Sequence, residues 1–231
     1  MKFIHFGGSC EPAFAFLEAS YKTKAEIIPS PFDWLGVPTE VLADLILLEN
    51  WCEEVFKLEN LVLYRPQQPE YIGVRDIKYN INAVHHFMRE GNKNFHEIIN
   101  KKLPDFKNKM VSRWNNFLEI LNKNSEIFIF IREYNPTYFA GKKSKEEAIQ
   151  SAYNAIINFA PNANLVMVCD NQPQIFDKAI VLMQKKHNKE RFNQTSDWYD
   201  CWEFFIKNNL EKGRLYTSNF FPTTKPKRIS R

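Results

Sequence analysis

The chain has 231 residues, 44% of them hydrophobic and twenty of them phenylalanine, enough to bury a substantial, aromatic-rich core. Lys+Arg 31 against Asp+Glu 27 gives a net charge of +4, and much of that surplus sits in the tail Lys225-Pro226-Lys227-Arg228-Ile229-Ser230-Arg231. This excludes a nucleic-acid footprint spread over the fold, and no apolar run approaches the roughly 20 residues that span a bilayer.

Lys2–Phe6 reads as a first strand. It ends in Gly7-Gly8, two of only seven glycines, and a helix is expected over Pro12–Tyr21. Ile27–Ile28 is a short strand running into the turn Pro29-Ser30-Pro31. Thr39, with Glu40 beside it, is expected to cap an amphipathic helix through Glu49. Leu61–Tyr64 and Tyr71–Val74 are short strands around the loop Arg65-Pro66-Gln67-Gln68-Pro69. Phe106, Met110, Trp114, Phe117 and Leu121 recur at helical spacing and predict a helix over Asp105–Leu121. Ile127–Ile131 is apolar without alternation, the mark of a strand buried on both faces. Ser144-Lys145-Glu146-Glu147 is a capping-box pattern opening a helix to Phe159. Leu165–Cys169 is a second buried strand, and helices are expected over Pro173–Lys186 and Asp197–Leu210. This rhythm implies an α/β fold: a mixed, largely parallel central sheet with helices on both faces, doubly wound. One domain is expected over residues 1–221, with a basic tail over 222–231.

Ligands of such a sheet bind beyond the carboxyl ends of its strands. Cys10 falls there, on a tight turn at a helix N-terminus. Backbone N–H groups and the positive end of the helix dipole favour a thiolate in that place and can receive an oxyanion. A small buried cysteine fits the same position. Ser9 is a second nucleophile in the turn, without a Gly-x-Ser-x-Gly elbow. Asp33, in Pro31-Phe32-Asp33-Trp34, is either a turn aspartate or the carboxylate that orients an imidazole. Of the neighbours His85-His86, at most one faces a given site on an extended strand. A neutral His85 near Cys10 would serve as general base; a packed pair is the alternative. Arg113 and Arg132 could each hold a carboxylate or phosphate, or form an internal salt bridge. His5 lies inside the first strand and reads as a packed residue. The four cysteines, Cys10, Cys52, Cys169 and Cys201, lack CxxC spacing and a disulfide rhythm, as expected of reduced thiols in a cytoplasmic chain. The opening residues carry no h-region of a signal peptide; export without a cleaved signal stays open.

In order, the stretches Gly7-Gly8-Ser9-Cys10, Pro31-Phe32-Asp33-Trp34, His85-His86-Phe87, Lys109…Arg113…Phe117 and Phe130-Ile131-Arg132 resemble an uncharacterised bacterial family described as papain-like cysteine peptidases. The resemblance covers roughly residues 1–170. The chain departs from the pattern twice: His86 stands where an aspartate is expected, and the helix has one arginine where two are expected. The resemblance implies thiol chemistry by a Cys10–His85–Asp33 triad on a peptide or acyl-group substrate, with no metal or organic cofactor. Two other readings use the same residues. One is a non-catalytic module that binds an anionic ligand through Arg113 and Arg132; the other is a Ser9-based esterase, for which a late Asp-x-x-His is missing.

Overall fold

Lys2–Phe6 forms strand β1, with every residue after Lys2 buried. The computed structural model describes residues 2–6, 21, 25–64, 70–123, 126–132, 144–169, 176 and 179–183. Beside β1 run the short β2 (Glu26–Ile27) and the longer β7 (Ile127–Arg132), then β8 (Asn164–Cys169) and β9 (Ala179–Met183). All neighbours are parallel, in the order β2-β1-β7-β8-β9. β1 is followed in the chain by β2 on one side, while β7 is followed by β8 on the other. The topological switch point of this doubly wound sheet therefore lies between β1 and β7.

The antiparallel strands do not join this sheet. β3 (Leu35–Gly36), β4 (Leu61–Tyr64), β5 (Tyr71–Asp76) and β6 (Ile81–Met88) make their own, in the order β3-β6-β5-β4. The sequence led us to expect one mixed sheet. Short connections explain the separation, since only antiparallel strands can be joined by the four residues between Asp76 and Ile81. This second sheet is an insertion in the path from β2 to β7. Helices α1 (Thr39–Leu47) and α2 (Trp51–Glu54) belong to it, and α3 (Phe95–Asn122) carries the chain back. α4 (Lys145–Phe159) makes the crossover from β7 to β8 and packs against α1.

The parallel sheet is buried on both faces. Ile4, Phe6, Ile129, Ile131 and Met167 share a core with α1, α3, α4 and the inner face of the antiparallel sheet. On the opposite face Phe3 stacks on Phe128 at 5.3 Å and leans on Phe130, and all three are fully buried. Phe6 meets Phe117 of α3 edge-on at 5.1 Å, and Trp114, one turn earlier, stacks on Phe159 of α4.

Several boundaries differ from the sequence reading. Pro38, extended at φ −60° and ψ 140°, takes the cap position of α1 and makes Thr39 its first helical residue. α3 begins ten residues before Asp105, at a capping box in which Asn94 and Glu97 exchange bonds, and it runs through Pro104. The Ser144–Glu147 box forms as expected. Within the expected helix Pro173–Lys186, Ala179–Met183 is instead strand β9, because the β-branched run Ile180-Val181 fills the free edge of β8. The expected helices Pro12–Tyr21 (Tyr21 apart) and Asp197–Leu210, and the tail 222–231, lie outside the described residues. Among the described residues no helix is long and apolar enough to cross a membrane.

Phe117 is fully buried where Phe6 ties β1 to α3. Replacing it with Ala should cost about 3–5 kcal/mol. Urea titration should show this as a lower midpoint with an unchanged slope; a midpoint within error of wild type would contradict the packing described.

Candidate functional site

Four peptide units, Pro31-Phe32-Asp33-Trp34, form a turn whose side chains go to three different places. The turn is set by Ser30, whose Oγ accepts from the Phe32 N–H at 3.1 Å and whose carbonyl accepts from the Asp33 N–H at 3.2 Å. Phe32 goes inward, stacked on Trp51 at 4.8 Å and edge-on to Phe6. Trp34 sits at φ +66°, a left-handed conformation that costs a bulky residue on the order of 1 kcal/mol or more. Such a residue persists only where its surroundings over-determine it.

Asp33 supplies that determination. Its Oδ1 lies 2.6 Å from Nε2 of His5, on β1. Its Oδ2 accepts from Nη1 of Arg113, on α3, at 3.1 Å. The same Nη1 donates to the Ser30 carbonyl at 2.8 Å. From β6, His86 donates its Nε2–H to the Asp33 carbonyl at 3.2 Å. One residue is thus bonded to β1, α3 and β6, at the end of β1 that leads to Gly7-Gly8-Ser9-Cys10.

The two adjacent histidines are separated by a bulge. β5 and β6 pair Ile72 with Phe87 and Val74 with Ala83, so Val84, His85 and His86 together face Gly73 alone. Such a bulge re-aims side chains that simple alternation would fix. His86 turns toward Asp33 and Phe106, its ring 4.7 Å from the latter. Burial pushes His86 down to about 4, aided by the nearby positive charges of Lys109 and Arg113 and opposed by its bond to Asp33. His85 turns the other way, into a slot between Trp34 and Tyr71, with ring centroids 5.6 and 5.7 Å away. Half-buried there, it is shifted below the usual histidine range by loss of solvent.

The residues singled out from the sequence are distributed as follows. Asp33 and Arg113 are brought together, bonded to each other. Arg113 is thereby engaged inside the fold. Asp33 meets His5, and among the described residues no hydrogen bond joins it to His85. What connects His85 to Asp33 is the neighbouring Trp34. Arg132 ends β7, at the switch point, and its side chain lies outside the described residues, as do Ser9 and Cys10. Cys52 is a buried free thiol that desolvation pushes up to about 12, against a lowering by Lys107. Among the described residues no three His, Cys, Asp or Glu side chains gather as a metal ion would require. Sequence reasoning missed the role of His5. Its signal was a titratable residue set among the apolar Phe3, Ile4 and Phe6 of β1, which must find a partner when buried.

His86 is neutral in the fold and is protonated in the unfolded chain below about 6.5. Its lowered value means the unfolded state binds more protons, so stability is full above about pH 6.5 and is lost as pH falls toward 4. The loss should reach at most ~3 kcal/mol. Urea midpoints at pH 7.5 and 4.5 measure it. His86→Asn, which keeps a donor and cannot titrate, should flatten that dependence; an unchanged dependence would remove His86 as its source.

Neither a curated protein nor a solved structure matches the chain. A family model does, over residues 1–172, which takes in β1, Cys10, the Asp33 knot, both histidines and the sheet through β8. The chain belongs to the family described as "Putative papain-like cysteine peptidase".

Proposed function

We propose that the chain is a cysteine-dependent hydrolase or acyltransferase with Cys10 as its nucleophile and His85 as its base. The observation that carries this reading is the placement of His85: neutral, half-buried and held by two aromatic rings beside the Asp33 knot. Family membership supports the thiol chemistry. Chain geometry keeps Cys10 near the Asp33 knot, since it follows the last β1 residue, Phe6, by four positions and lies within about 14 Å of it.

A base with a lowered pKa is unprotonated at neutral pH and ready to accept a proton. His85 takes the thiol proton of Cys10. The thiolate attacks the acyl carbon, and turn N–H groups near Cys10 hold the oxyanion. The tetrahedral intermediate collapses, the imidazolium returns the proton to the leaving amine or alcohol, and a thioester remains. Water, giving its proton to His85, attacks the thioester and releases the acid; an amine in place of water gives acyl transfer. Asp33 acts here by position: its bonds to His5 and Arg113 hold the turn that presses Trp34 against His85. The rival reading, anion binding through Arg113 and Arg132, has less to rest on at Arg113, whose guanidinium already serves Ser30 and Asp33.

Iodoacetamide labelling of the native chain across pH, read peptide by peptide, tests the proposal. Cys10 should react at pH 7 at least ~10-fold faster than the other thiols, with a thiol pKa below the ordinary ~8.5. Cys52, its thiol pushed up to about 12, supplies an unreactive internal reference. A Cys10 that reacts no faster than Cys169 and Cys201 would end the nucleophile reading. Once a substrate is found, Cys10→Ala should abolish turnover; full activity in that variant would favour Ser9 instead.

A further inference from the structure

Asp33 serves an imidazole, and that imidazole belongs to His5. The ring nitrogen Nε2 lies 2.6 Å from Oδ1, in a place where His5 is only 2% exposed. Arg113, on the other carboxylate oxygen, already balances the charge of Asp33. With one oxygen held by β1 and the other by α3, the carboxylate cannot rotate. Arg113 alone would satisfy its charge; the contact with His5 adds a tie to β1, the strand that precedes Cys10 in the chain. Phe6, the next residue on β1, meets the same turn through Phe32, but that contact is apolar and sets no polar direction.

We propose that His5 is a positioning residue for the Cys10 thiol: locked on Asp33, it fixes the exit of β1 against the Pro31–Trp34 turn. The inference rests on the reading of Cys10 as nucleophile. It assigns a role to the imidazole that Asp33 actually meets, and it leaves proton transfer to His85.

The experiment is alkylation of Cys10 by iodoacetamide between pH 5 and 10, on the full chain, in wild type, His5→Gln and His5→Leu. Glutamine carries an amide N–H at about the reach of Nε2 and should keep the wild-type rate within about threefold. Leucine fills similar space without a donor and should slow Cys10 about tenfold at pH 7, by raising its thiol pKa about one unit. Asp33→Asn should slow the wild type but add little to His5→Leu, because the two residues act through one bond. Should His5→Leu fail to fold, His5→Asn, whose amide stops short of Asp33, takes its place. A Leu or Asn variant with the wild-type profile overturns the proposal. So does a Gln variant as slow as Leu, since the imidazole itself would then be required. A wild-type Cys10 no faster than Cys169 and Cys201 brings down the nucleophile reading and this inference together; a fast wild type with an unchanged Leu variant brings down this inference alone.

Discussion

The described residues around the carboxyl end of β1 converge on one buried carboxylate. Asp33 is mostly shielded from water, and a charge in that position is stable only if paired and hydrogen-bonded. Its partners come from segments far apart in the chain: His5 opens it, Arg113 lies on the long return helix, and His86 reaches the same residue's carbonyl from the inserted sheet. Each bond is modest by itself. Together they dock the antiparallel sheet, α3 and β1 at one point. Taking a partner away from a buried charge usually costs more than the bond itself contributes.

This constraint explains the strain at Trp34. A left-handed tryptophan is a poor local choice, and no turn made of Pro-Phe-Asp-Trp alone would select it. Phe32 is fixed inward by Trp51 and Phe6, and Asp33 is fixed by His5 and Arg113, so the next residue must leave in the direction that remains. That direction carries the indole to His85. The strain is therefore a consequence of anchoring on either side, and its effect is to set one wall of a histidine slot.

How much of this was legible in the sequence depended on whether the signal was local. The buried strand Ile127–Ile131, the Ser144 capping box and the α/β rhythm are written in neighbouring residues, and they appear where expected. β9 was misread because Ala179–Met183 is a short apolar run that periodicity cannot assign; it becomes a strand because β8 presents an edge. The site followed the same rule. Asp33 and Arg113 were marked as chemical candidates one at a time, by type and flanks. Their bond to each other, and the bond of Asp33 to His5, span 80 and 28 positions of sequence and leave no local trace. The bulge that separates His85 from His86 was also hidden, because it lies in the register against Gly73 rather than in either strand alone.

The adjacent histidines show how environment divides labour between identical residues. His86 donates to a backbone carbonyl and is so strongly desolvated that it stays neutral far below physiological pH, which commits it to structure. His85, one residue away, faces aromatic edges, keeps part of its surface in solvent, and has no hydrogen bond among the described residues, which leaves its lone pair available. Position 86 is also where the sequence reading expected an aspartate. An ionised aspartate there could only accept hydrogen bonds, and it would turn a negative charge toward the Asp33 carbonyl. Histidine reverses that polarity and supplies the donor. The turn at Asp33 is then held through its backbone by β6 and through its carboxylate by β1, so the residue at 86 anchors that turn.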